Sequence, residues 1–114
     1  MGLAAGGLVG AAGARSVAAA PATDESAALL RLAATAEGLS VAFYQAVLHG
    51  AHYYIDPQGR AHLAAILEAE KRHARTIRSL GGAPLQRRFY LPRRLLTDAA
   101  FFVATGVSLE SCVG

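Results

Sequence analysis

Three glutamates stand where apolar residues belong. Glu37, Glu70 and Glu110 each fall on the apolar stripe of a segment whose hydrophobic residues recur at helical spacing. Such a chain must fold as helices that carry carboxylates to a shared interior, and something must neutralise them there. An isolated buried carboxylate is very costly and otherwise takes up a proton.

The helices are delimited by their own stop and start signals. Thr23-Asp24-Glu25-Ser26 offers a cap and an acidic first turn. Leu29, Leu30, Ala33, Ala36, Val41, Tyr44 and Leu48 follow at helical spacing, and His49-Gly50 is expected to end the helix with Gly50 just past its last turn. A second helix starts at Asp56-Pro57, where Asp caps and Pro suits the first helical position. Its stripe is Leu63, Ile66, Leu67, Ile77 and Leu80, and Gly81-Gly82-Ala83-Pro84 ends it. Residues 83–95, with Pro84, Pro92 and four arginines, read as a connection rather than a core element. A third helix begins near Thr97-Asp98, or earlier at Pro92, and carries Phe101, Phe102, Val103, Val107 and Leu109. Gly106 inside it is unfavourable by about 1 kcal/mol against Ala.

On these helices Glu37 has Leu30, Ala33, Ala34, Val41, Tyr44 and Leu48 as stripe neighbours. Glu70 and His73 share one side of the second helix, three residues apart. Glu110 neighbours Phe102, Val103, Val107 and Val113, while Glu68, Lys71, Arg72, Arg75 and Arg78 take the other faces of helix two. No Lys or Arg lies on the carboxylate stripes. A metal ion would supply the missing positive charge, and carboxylate oxygens with an imidazole nitrogen suit iron, manganese or zinc.

The depths agree. Glu37 lies about 20 Å before Gly50 and Glu70 about 20 Å after Pro57, so the two meet in an antiparallel hairpin. Glu110 lies about 18–20 Å into a helix starting at Asp98, level with Glu70 only if helices two and three run parallel. That needs a return of roughly 35 Å, and residues 82–97 span about 50 Å when extended. The Pro/Arg stretch is therefore expected to be a crossover.

With these residues in place, the chain resembles the ferritin-like di-iron carboxylate proteins, most closely the bacterial and plant ferritin-like domain related to desiccation-associated proteins. The resemblance rests on Glu37 in Ala36-Glu37-Gly38-Leu39-Ser40-Val41-Ala42-Phe43-Tyr44, on Glu70-Lys71-Arg72-His73, and on Glu110 in Val107-Ser108-Leu109-Glu110-Ser111-Cys112, across roughly residues 25–114. In that superfamily a Glu from each of two helices and a Glu-x-x-His from each of the other two bind the metals. The resemblance implies an all-α, ferritin-like four-helix bundle, of which this chain holds the first three helices, with a long crossover between helices two and three. It implies that Glu37 and Glu110 are the single carboxylates, that Glu70 bridges two metals and that His73 binds one of them. The cofactor implied is iron or manganese, two ions in a complete bundle. The second Glu-x-x-His does not follow Glu110, so a second chain or a further C-terminal segment is expected to complete the bundle, and a homo-oligomer is one way to do so. An absent fourth helix would leave an apolar groove along the other three.

The first 22 residues set the expected compartment. Gly2 to Ala14 is uncharged and apolar, the length of a signal-peptide hydrophobic region and too short to span a bilayer. Cleavage fits after Ala20-Pro21-Ala22 or after Val17-Ala18-Ala19. Residues 1–22 thus read as an export signal or a disordered Ala/Gly leader, and 23–114 as the helical domain. No basic n-region precedes Gly2. Cys112 is the chain's one cysteine, so no internal disulfide forms, and it is expected to be buried as a small apolar residue.

The other candidates have plainer readings. His49 and His52 fall at a helix end and a loop and should meet solvent. His62 is off the Glu70 stripe and is not counted as a ligand. Tyr44 either packs in the core, the preferred reading, or hydrogen-bonds a ligand carboxylate. Eight basic residues lie between Lys71 and Arg94, but residues 23–114 carry ten basic and eight acidic groups, a net +2, and no binding motif accompanies them. They read as a solvated face, not a nucleic-acid footprint. Three functions remain in order of preference: a metal-binding bundle with oxidase, peroxide-consuming or iron-handling chemistry, a structural or stress-protection module with the fold alone, and a basic module for anionic partners.

Overall fold

The computed structural model describes the backbone of residues 23–113 and the side chains of residues 23–111. The expectations for the leader, residues 1–22, and for the Cys112 side chain lie outside the described residues. Among the described residues every regular element is helical: α1 (Asp24–Gly50), α2 (Pro57–Ser79), the single turn α3 (Arg94–Thr97) and α4 (Ala99–Val113).

The caps explain these boundaries. Thr23 accepts from the Ser26 N–H at the start of α1, and Asp56 Oδ1 accepts from the Gly59 N–H at 2.7 Å, with Pro57 opening α2. Gly50 differs from expectation. It is the last helical residue, not a left-handed residue beyond it, because the chain leaves in extended geometry at Ala51 (φ −63°, ψ 137°). The true glycine cap is at the end of α2. Gly81 adopts φ 97°, its N–H bonds to Arg78 O at 3.0 Å, and the Gly82 N–H bonds to Ile77 O at 2.9 Å. This paired bonding satisfies carbonyls that a helix end leaves free. Gly82 also has no room for a side chain, since a Cβ there would sit 2.6 Å from Ile77 Cγ2 and 2.8 Å from Leu30 O.

Residues 80–93 then run back along α1. Leu85 N–H bonds to Thr35 Oγ1 at 2.8 Å, the Phe89 ring lies against Gly38, Leu96 lies against Gly50, and the His52 N–H reaches Leu96 O at 2.7 Å. The connection therefore travels from the N-terminal part of α1 to its C-terminal end. It delivers α4 to the end where α2 begins, and α4 returns with Phe102 and Gly106 beside Phe43 and Glu110 beside Tyr44. Thus α2 and α4 run parallel, and both run antiparallel to α1.

Of the two starts open to the third helix, the chain uses both. Pro92 opens the turn α3, with Leu95 N–H to Pro92 O at 3.0 Å. Asp98 then breaks the helix in extended geometry (φ −136°, ψ 102°) and restarts it, its Oδ1 accepting from the Phe101 N–H at 3.1 Å. That N–H, with the Arg94 guanidinium second, holds the Asp98 carboxyl below the usual carboxylate range. The described residues so hold four helices instead of three. The connection also contributes to the core, contrary to expectation. Leu95 is 1% exposed, and its carbonyl accepts from the Tyr53 hydroxyl at 2.7 Å.

The core is Phe43, Tyr44, Val47, Leu67 and Leu95, with Leu63, Ile66, Phe101, Phe102 and Leu109 packed against it. Phe43 and Val47 are central although they lie off the expected stripe, and Leu29 from that stripe is exposed. Helix α1 is apolar on nearly every face, so periodicity does not single out one of them. By length and composition α1 also qualifies as a membrane-crossing segment or a signal sequence, as core helices of soluble proteins do. Val103 and Val107 on α4 are exposed and line an apolar groove of about 550 Å³ between α2 and α4, with His62, Leu63, Ile66, Tyr44 and Glu110.

Candidate metal centre

Glu37 and Glu70 face each other across the α1–α2 contact because both occupy the buried seam of their helices, 7% and 4% exposed. The turn Ala51–Asp56 and the Arg60 guanidinium, which donates to Leu48 O at 3.0 Å, hold the hairpin in register. His73, one turn after Glu70, is drawn to the same point. Its Nδ1 stands 3.3 Å from Glu70 Oε1 and 3.8 Å from Glu37 Oε1.

Glu37, Glu70 and His73 each offer one ligand atom, and these atoms lie within 4.8 Å of one another. Oxygen and nitrogen ligands sit at about 2.0–2.2 Å from a transition-metal ion, so pairs around a shared ion stand somewhat closer than this. Small side-chain rotations would close the group. The donor set of two carboxylates and an imidazole suits iron, manganese or zinc.

Among the described residues, His73 is the only basic side chain paired with the carboxylates of the cluster. Glu37 Oε1 is buried and has no hydrogen-bond partner, and Ser40 Oγ, fully buried one turn further along α1, has none either. None of the described ion pairs joins a lysine or arginine to Glu37, Glu70 or Glu110. Burial, and then the neighbouring Glu70 carboxylate, push the Glu37 carboxyl up to about 8. A divalent cation would relieve this cost by replacing the proton.

Glu110 is placed differently from the other three candidates. It lies outside the group drawn together by Glu37, Glu70 and His73, although its charge still reaches Glu37. Its Oε2 accepts from the Tyr44 hydroxyl at 2.8 Å. The Tyr44 ring packs edge-on against Phe43 at 5.0 Å, as expected of a core residue, while its hydroxyl holds Glu110. Burial, followed by that hydrogen bond, raises the Tyr44 phenol above its ordinary range. Glu110 lines the α2–α4 groove with Tyr44 and Ile66, and the charges of Glu110 and Glu70 both act on the Tyr44 hydroxyl.

Ser40 is a polar neighbour that the sequence does not single out. Its signal is present, three residues after Glu37 on an apolar seam, but a lone serine there carries little weight. His62 lines the groove at the α2–α4 boundary, apart from the ligand group, and His49 and His52 are exposed as expected. Comparisons with protein-family models, with curated proteins and with solved structures give no match to this chain.

Proposed function

We propose that the chain is a ferritin-like metal-binding helical protein in which Glu37, Glu70 and His73 hold iron or manganese. The observation that supports this reading most is Glu37 Oε1, a buried carboxylate oxygen without a partner, facing a Glu and a His on the neighbouring helix. Natural interiors rarely leave such an atom orphaned, and a place for an ion is one of the few reasons they do. The ion would supply Lewis acidity and, for iron or manganese, redox chemistry.

The chain's own residues have separable tasks in this proposal. Glu37 and Glu70 present oxygens from facing helices, and His73 presents Nδ1. The apolar residues Phe43, Val47 and Leu67 keep the hairpin dry, which strengthens every charge interaction inside it. Tyr44 fixes the rotamer of Glu110, which we assign as the nearest further carboxylate. A second ion needs more ligands, and a helix from a second copy or from further sequence, laid in the groove beside Glu110, would bring them. Export through the leader, with a part in oxidative or desiccation stress or in iron handling, belongs to the same proposal.

A structural helical module is the second reading. It is favoured by one observation: Glu110 is engaged with Tyr44 and stands outside the three-residue group. Metal content separates the two. The folded wild type, purified with iron or manganese supplied, should contain near-stoichiometric metal by elemental analysis, and Glu70→Ala/His73→Ala should contain none. Metal-free wild type would overturn the metal reading and leave the structural one.

A further inference from the structure

A second, smaller cleft opens under the crossover. It has a volume of about 160 Å³ and is lined by Ala34 and Gly38 of α1, by Ala74 and Arg78 of α2, and by Gly82, Pro84, Gln86, Arg87 and Phe89. Its floor is made of small residues, which is why the crossover can lie close without filling it. Two arginines line it, Arg78 from α2 and Arg87 from the crossover. No acidic residue lines it, and neither Arg78 nor Arg87 has an acidic partner among the described ion pairs.

In the sequence these arginines belong to a basic run with the character of a solvated face. The fold instead brings two of them to the same concavity, beside Gln86, whose side-chain amide donates to the Arg88 carbonyl. Guanidinium groups present planar forks of N–H donors that match oxyanions two bonds at a time. Two of them balance a charge of minus two. The volume has room for several waters, and so for the five heavy atoms of one phosphate group.

We propose that this cleft is a binding site for a phosphate-type dianion, free phosphate or the phosphate end of a small monoester, held between Arg78 and Arg87. The site is independent of the metal reading, because none of Glu37, Glu70 or His73 lines it. The ligand enters from the solvent side of the crossover, where both arginines are exposed.

The test uses the full chain stripped of metal with a chelator, so that phosphate cannot act through a bound ion. Inorganic phosphate is titrated at constant ionic strength while thermal unfolding is followed. Saturable stabilisation is expected, a rise in Tm of about 5 °C or more at ten times Kd for a domain of this size. Amide shifts in an NMR titration should concentrate at residues 34–38, 74–82 and 84–89. Arg78→Gln and Arg87→Gln should each weaken binding at least tenfold, and Arg88→Gln, outside the cleft, should leave it unchanged. A methyl phosphate titration separates free phosphate from a monoester end, since a site closed to esters binds only the former. No saturable shift, a shift kept in the Arg78→Gln/Arg87→Gln protein, or one that acetate reproduces at equal concentration would overturn the proposal. The wild-type NMR map decides the matter even if the double variant folds poorly.

Discussion

The Tyr44 hydroxyl donates to Glu110 Oε2 across 2.8 Å and so ties the middle of α1 to the last turns of α4. It is the one side-chain hydrogen bond among the described residues that joins these two helices directly. Helix α4 otherwise rests on apolar packing and on α3. Tyr44→Phe removes one hydrogen bond to a charged acceptor, and Glu110 is exposed enough to regain water. The expected loss is about 1–2 kcal/mol, read by denaturant unfolding. Amide exchange in residues 99–111 should speed up more than in α2. Equal acceleration in both helices would show that the bond does not anchor α4.

The Glu37 carboxyl sets a pH dependence in the metal-free protein. Its folded value is about 8 against an ordinary 4.5. Between those values the folded chain holds a proton that the unfolded chain has released, so stability falls as pH rises. The contribution is fully present below about pH 4.5 and lost by about pH 8. Thermal unfolding of wild type and Glu37→Gln across the range from mildly acidic to mildly alkaline checks this, because Gln cannot titrate and should flatten that part of the slope. A slope unchanged by the substitution would assign the effect elsewhere.

Replacing Glu37 by leucine should move stability and metal binding in opposite directions. The orphaned oxygen is removed and the seam becomes apolar, which is expected to stabilise the metal-free protein by about 1–3 kcal/mol. The same change removes a ligand, so added manganese should no longer raise Tm. A Glu37→Leu protein that still responds to manganese would place the ion away from this hairpin.

The glycine pair after α2 should respond unequally in cause though similarly in size. Gly82→Ala forces a Cβ into Ile77 Cγ2 and the Leu30 carbonyl, at 2.6 and 2.8 Å, an overpacking cost of about 1–3 kcal/mol. Gly81→Ala meets no atom within 4 Å but must hold φ 97°, a backbone cost of about 1–3 kcal/mol. Gly81→Asn, which tolerates that conformation better, should recover part of the loss, whereas Gly82→Asn should recover none. Unfolding of the four variants tests this.

Leu95 is the buried residue of a segment otherwise rich in arginine and proline. Leu95→Ala should cost about 2–5 kcal/mol, as for other fully buried leucines, and should free the crossover end of α4. A loss below about 1 kcal/mol in equilibrium unfolding, far short of that range, would mean that α3 is not part of the cooperative core.

The starts and stops of the helices were legible locally. Thr23, Asp56-Pro57, Gly81-Gly82 and Asp98 act through bonds to backbone groups within a few residues, so their effect does not depend on the rest of the fold. The pairing of Glu37 with Glu70 and His73 was legible too, because helical rise converts sequence distance into depth once the hairpin is assumed. Which face of α1 is buried was not, since apolar residues surround that helix and Phe43 and Val47 win only through what packs on them. The role of Leu95 was hidden for the same reason: one apolar residue between arginines becomes core only when the turn at Pro92 aims it inward.

By itself, then, the order of residues determined where α1 and α2 begin, where α2 ends and the depth at which two carboxylates and a histidine meet, because short-range hydrogen bonding and fixed helical rise decide those. The tertiary structure alone decided that Glu110 is held by Tyr44 instead of joining them, and that Arg78 and Arg87 share one cleft. Those outcomes depend on the rotation of α4 and the path of the crossover, which are set by packing between segments far apart in the chain.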